Sequence, residues 1–289
     1  MEMYEWMVRN TPQREWIEGR GVLIWLAEVS CGIGGGLYLV SLYFNNMSGM
    51  FLSWLIVVLL KGGFHFAYLG KPMRFWRMAL KPKTSWLARG FIFLSLFIGF
   101  GAIQLAFSYW LPGTTLEITF KVIAGLMVFL VVMNTGFVMN CINAIPFWNS
   151  AILPLLFLLF GILDGFALIL TMGLFEGNVN MIAAEGGSRL LLVINALLIA
   201  IYLWSGMYMG PTGKRSVMEL IKGQLAPILW VGVMLCGIII PLGVSVSSYF
   251  VGEASAPFLI MAVAFEMVGA FSLKYILLKG ALYSPLIQA

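Results

Sequence analysis

The 289-residue chain is 61% hydrophobic and only 10% charged, with a net charge of +5 and a mean hydropathy of +0.98. So little polar material cannot coat a soluble globule, which excludes a water-soluble enzyme and leaves an integral membrane protein. The basic surplus forms no continuous face on a soluble domain and so does not point to nucleic acid.

In chain order, Met1 to Gly19 carries charges of both signs, including Arg9, Arg14, Glu15 and Glu18, and reads as a retained amphipathic lead-in rather than a cleaved leader. A crossing helix needs ~20 apolar residues. Gly, Pro, Asn and charged clusters divide the remainder into eight segments of that size, at residues 21–44, 49–69, 86–110, 117–143, 150–174, 188–208, 226–249 and 255–280. The predicted fold class is therefore an all-α integral membrane protein with eight transmembrane helices in two four-helix bundles, forming one membrane domain over 1–289. An even number of crossings puts both termini on one side. Thirteen Lys and Arg residues in the connectors or at the helix ends share that side, against Arg189 alone on the other, which predicts cytoplasmic termini in a multi-pass protein of the cell membrane.

The glycine run Gly32 to Leu39, GIGGGLYL, lies inside the first segment without the strand–turn–helix setting of a dinucleotide loop, so it predicts close helix packing. The second connector, Leu69 to Gly90, is basic and aromatic. Lys71, Arg74, Phe75, Trp76 and Arg77 offer the arginine and aromatic mixture of interface anchors, and Pro146, Phe147 and Trp148 form a second rigid apolar patch. A competing reading has the basic residues meeting anionic lipid headgroups.

Cys31, Cys141 and Cys236 sit singly in apolar segments, so no CxxC run supplies the thiolates of an iron–sulfur cluster. His65 is the only histidine, which rules out a bis-His haem. Ionisable groups inside the helices carry more information, because each is costly in hydrocarbon and turns toward a bundle interior, a partner or water. Glu28 lies eight residues past Arg20, about 12 Å deep at the helical rise, and Lys61 reaches a similar depth nine residues before Gly70. Lys61 and His65, four residues apart, project from one face. Together they predict either a polar pocket or a structural ion pair. Asp164 and Glu266 fall near mid-membrane and extend a possible proton path from Glu28, whereas Lys121 and Lys274 lie near helix ends and read as snorkelling to headgroups.

At these residues the chain resembles a known family. GGGLYL in the first helix, LGKPMRFWR and SWLARG in the second connector, and TGFVM followed by IPFWNSAILPLLFL are similar, in that order, to the NrfD and polysulfide reductase type membrane subunits of molybdopterin and iron–sulfur oxidoreductase complexes. The resemblance implies a membrane anchor, with no haem or cluster of its own, exchanging electrons between a quinone (menaquinone or ubiquinone) and a docked ferredoxin-like iron–sulfur subunit. That subunit would connect in turn to a catalytic molybdopterin subunit. It also implies a quinone pocket near the docking face, here the neighbourhood of Glu18, Arg20, Trp25 and Asn134, with Glu28, Lys61 and His65 at a compatible depth.

Two departures matter. Asn134 precedes the Thr135–Gly136 pair where family members can carry tyrosine, and no histidine starts the first helix. Proton exchange is therefore assigned to Glu28 or His65, with Lys61 and Arg20 favouring a reduced anion. The alternative function is a stand-alone proton or ion transporter using Asp164, Glu266 and Lys274.

Overall fold

The computed structural model describes residues 5–177, 179–251 and 256–287. Among them, eight helices are long and apolar enough to cross a membrane: α1 (Gly19–Tyr43), α2 (Met47–Tyr68), α3 (Trp86–Trp110), α4 (Thr115–Asn140), α5 (Ile152–Glu176), α6 (Met181–Met207), α7 (Ile228–Phe250) and α8 (Ala256–Lys279). The predicted start of the last helix at Ser255 and the first four residues of the lead-in lie outside the described residues.

Polar caps set the helix starts. The side chains of Asn46, Ser85, Thr114 and Asn180 accept the backbone N–H groups of Gly49, Ala88, Glu117 and Ala183, satisfying donors that hydrocarbon would leave bare. Gly177, at φ +65°, ends α5 in the left-handed conformation that suits glycine. The Asn180 cap also explains why α6 starts at Met181 and not at 188, with Gly186 and Gly187 inside the helix. The stretch between α6 and α7, which carries no predicted crossing, holds a thirteen-residue amphipathic helix, Gly210–Lys222. It buries Val217 and Leu220 and exposes Lys214, Arg215 and Lys222.

The first four helices and the last four form two bundles, joined along a seam where α1 and α4 meet α5 and α8. The glycines of the run in α1 serve different neighbours. A Cβ on Gly34 would strike Ile56 and Val57 of α2, and one on Gly35 would strike Val132 of α4. On the face toward α5, a Cβ on Gly36 would overlap the Gly161 carbonyl, while one on Gly165 would overlap the backbone of Gly36. Gly32 and Gly36 thus face Gly161 and Gly165 in a small-xxx-small crossing, where backbones touch with no side chain between them. Gly237 of α7 and Gly269 of α8 repeat the device in the second bundle.

On the face holding the termini, Thr11–Pro12 pairs antiparallel with Leu282–Tyr283, and Gln13 N–H donates to the Ala281 carbonyl at 2.9 Å. This bridge and the Gly210–Lys222 helix cover the loop after α4. Phe147 and Trp148, expected on a docking surface, are consequently fully buried. Trp148 Nε1 donates to the Leu277 carbonyl at 2.7 Å, and Tyr202 donates to the Phe147 carbonyl at 2.6 Å, so both residues are interior ties rather than surface anchors.

Candidate functional site

The polar cluster forms between α1, α2 and α4. Residues Ile56–Gly62 of α2 wind as a wide π turn, a feature often found where a helix presents functional groups, and Lys61 lies at its end. Val57, one turn earlier, is fully buried against Gly34, which holds this face of α2 on α1.

Lys61 Nζ donates to Glu28 Oε1 at 2.6 Å, and the Thr135 hydroxyl donates to Glu28 Oε2. His65 Nε2 stands 3.6 Å from the same Oε1, and its Nδ1 lies 3.2 Å from the Lys61 carbonyl oxygen. Glu28 and Lys61 are each only 6% exposed, whereas the His65 side chain is 34% exposed. Two buried opposite charges are thus matched and hydrogen-bonded, which is the condition for tolerating them in hydrocarbon. The imidazole provides the open edge of the cluster. Chemically, the arrangement can hold a proton at Glu28 or His65 and present a fixed positive charge on Lys61.

The other expected pocket residues surround this cluster unevenly. Arg20 Nη2 donates to the Ala67 carbonyl at 2.7 Å, which clamps the start of α1 to the end of α2 and favours the C-terminal dipole of that helix. Asn134 lies on the next position of α4 from Thr135. Its Oδ1 is buried without a partner among the described residues, and its amide occupies the space left by the missing Cβ of Gly90. Trp25 turns away from the cluster. Its Nε1 donates to the Phe271 carbonyl at 3.2 Å, and its ring meets Phe271 and Tyr275 edge-on, so it ties α1 to α8. Glu18 is at the surface with Lys279, whose ammonium holds the carboxyl below the usual carboxylate range. The connector over the same face exposes Lys71, Arg74, Phe75, Trp76 and Arg77, with the Arg77 guanidinium over the Trp76 ring at 5.5 Å.

Asp164 and Lys274 form a second buried pair across the seam, with Lys274 Nζ 3.5 Å from Asp164 Oδ2. Lys274 is 2% exposed, so it does not snorkel as expected. The reason is directional. Side chains lean toward the N-terminus of their helix, and α8 runs toward the face with the termini, so Lys274 leans into the membrane. Gly32 of α1 makes room for its ammonium. In α4, which starts at the opposite face, the same lean carries Lys121 outward to Glu117 at 2.6 Å and Asn45 at 2.7 Å. Glu117 belongs to a network missed in the sequence, in which Tyr38 donates to Gln104 at 2.6 Å, Gln104 to Ser108 at 2.8 Å and Ser108 to Glu117 at 2.8 Å.

Eight crossing helices in two bundles, with a buried ion pair and an open imidazole near one face, define an all-α multi-pass membrane protein with a polar site inside the bilayer. Likeness to known proteins specifies it further. The chain belongs to the NrfD polysulphide reductase family, whose pattern it matches over residues 32–285. It is similar to the protein NrfD homolog of Haemophilus influenzae, at 26% identity over 50% of this chain and 46% of that one. It is also similar to the polysulfide reductase C chain of Wolinella succinogenes, at 32% identity over 50% of this chain and 48% of that one. Similarity to protein NrfD of Escherichia coli covers 73% of this chain and 74% of the relative, at 24% identity. The chain thus spans about half the length of the first two curated relatives it matches.

Proposed function

We propose that this chain is the membrane-embedded, quinone-binding subunit of a respiratory oxidoreductase complex in the cytoplasmic membrane. It would exchange electrons between menaquinone or ubiquinone and an iron–sulfur subunit docked on the face with the termini, beyond which lies a molybdopterin catalytic subunit. The observation that carries this reading is the Glu28–Lys61–His65 cluster near the end of α2, where the exposed connector Lys71 to Arg77 meets that helix through the Phe66–Phe75 ring contact. Family membership and the name of the Wolinella relative, one chain of a polysulfide reductase, support it.

The residues present fit a quinone. His65 offers a partly exposed ring nitrogen, and Asn134 offers a buried oxygen, without a partner among the described residues, that can accept from a quinol hydroxyl. A bound quinone supplies the redox couple, taking up or releasing electrons together with protons. His65 orients the ligand's oxygen and passes a proton between it and Glu28. Lys61 holds the carboxylate in place and favours negative charge nearby. Arg20 fixes the geometry by locking α1 to α2. The exposed Arg74, Phe75, Trp76 and Arg77 hold the partner close above the site.

The buried Asp164–Lys274 pair, with Glu266 close enough to interact electrostatically with Asp164, favours a second element. Protons would move along Glu28, Asp164 and Glu266 as the redox state changes.

Purification in mild detergent tests the reading. A cluster-bearing subunit is expected to co-purify, and quinol is expected to reduce its clusters. Glu28→Gln and His65→Ala should each lower quinol-dependent turnover by about 100-fold or more, with dye-linked activity of the catalytic subunit retained. Arg74→Ala with Trp76→Ala should release the partner from an otherwise folded chain. A chain that purifies alone and moves ions with no redox partner would overturn the proposal.

A further inference from the structure

A small cavity lies in the second bundle toward the face opposite the termini. It has a volume of about 20 Å³, and its wall includes Glu185 and Ser188 of α6, Pro241 and Ser248 of α7, and Glu266 of α8. Pro241, in its wall, follows the wide π segment Ile228–Ile239 and has no N–H to donate. A space of this size accepts one water, which needs two or more polar partners.

The wall supplies them. Glu266 is 3% exposed, and its Oε1 has no hydrogen-bond partner among the described residues. Ser188 and Ser248 are buried, and Ser248 Oγ lies 3.0 Å from Glu185 Oε2. Glu185 is partly exposed in the second turn of α6, at the end of the helix nearest that face. Carboxyl, hydroxyl, cavity and buried carboxyl therefore line up from the surface to mid-membrane.

Charge around Glu266 is unbalanced. Among the described residues, Asp164 of α5 and Glu266 confront one ammonium, Lys274 of α8, which is committed to Asp164. Arg189 of α6 reaches the cavity wall at Ser245. It donates to the Ser245 carbonyl at 2.7 Å and to its hydroxyl at 3.1 Å, and stacks on Tyr249, so it faces α7 rather than Glu266. One bound proton on Glu266 removes the imbalance without a second buried cation.

We infer that Glu185, Ser248 and one water in this cavity form a proton entrance from the face opposite the termini, and that Glu266 is the site it fills. A proton taken from bulk water by the Glu185 carboxylate passes to the Ser248 hydroxyl as that hydroxyl gives its own to the cavity water, which gives one to Glu266. Hydroxyl and water are both regenerated and no other bond changes. This rests on the reading above that Asp164 and Glu266 carry protons. It adds the side from which they are supplied.

The test uses the purified full chain, with whatever subunits accompany it, in oriented supported membranes. Infrared spectroscopy follows the protonated-carboxyl band of Glu266, assigned by its loss in Glu266→Gln. Heavy water is then admitted on one face at a time. Exchange is expected from the face opposite the termini, slowed about tenfold or more in Glu185→Gln and in Ser248→Ala. The first change is isosteric and the second deletes one atom, so both keep the helices packed, which the amide bands verify. A Glu266 band that exchanges at the parental rate in both variants, or only from the face with the termini, overturns the entrance while leaving Glu266 a proton carrier. Absence of the band removes the carrier reading and the entrance together.

Discussion

Replacing Gly36 with valine should abolish accumulation of the folded protein. Its Cβ would overlap the Gly161 carbonyl, a backbone atom that cannot turn aside. The two bundles would have to separate along their main seam, at a cost above the ~1–3 kcal/mol typical of overpacking against side chains. Gly36→Ala, which adds only that Cβ, should lower the midpoint of thermal unfolding in detergent. Gly99→Ala is the control, because open space surrounds that position. An unchanged unfolding midpoint for Gly36→Val would show that α1 and α5 do not cross as described.

Lys61→Met should destabilise the protein by about 3–5 kcal/mol, the usual consequence of stranding one member of a buried ion pair. Glu28 would then keep the Thr135 hydroxyl and His65 but lose its full counter-charge. Glu28→Gln combined with Lys61→Met should recover most of the loss, because the double variant buries no charge at that position. Denaturant or thermal unfolding of the four proteins of this cycle measures the coupling. Quinol-dependent turnover separates stability from function: it should stay low in the double variant even as stability returns. Recovery of both would make the pair a packing device alone, and recovery of neither would mean that the neutral pair packs badly.

Helix number and most helix ends were legible in the chain because hydrocarbon imposes a length, and polar punctuation marks where it is met. The start of α6 was not, since Gly186, Gly187 and Arg189 look like an interruption while the decisive signal is the Asn180 cap several residues earlier. Glu28, Lys61 and His65 stood out because ionisable groups are rare in apolar helices, and the rise per residue placed them at one depth. Thr135 did not, because a single threonine in such a helix has many innocent uses. The pairing of Lys274 with Asp164 depends on which helix lies opposite, and helix direction alone already argues against snorkelling there. Phe147 and Trp148 read as a surface patch and are buried, because their cover comes from the bridge between Thr11–Pro12 and Leu282–Tyr283 and from the Gly210–Lys222 helix. Neither of those was foreseen.

The bare-backbone contact between α1 and α5 also constrains how the protein is made. Gly161 follows Gly36 by 125 residues, which is on the order of 10 s of synthesis at ordinary rates. For that interval the Gly32 and Gly36 face of the first helix lacks the α5 backbone that covers it in the folded chain. A nascent chain that stops after α4 is therefore not a finished folding unit. Insertion of the fifth helix is the event that covers this face and joins the two bundles, and delay at that point leaves an exposed groove open to the wrong partner helix.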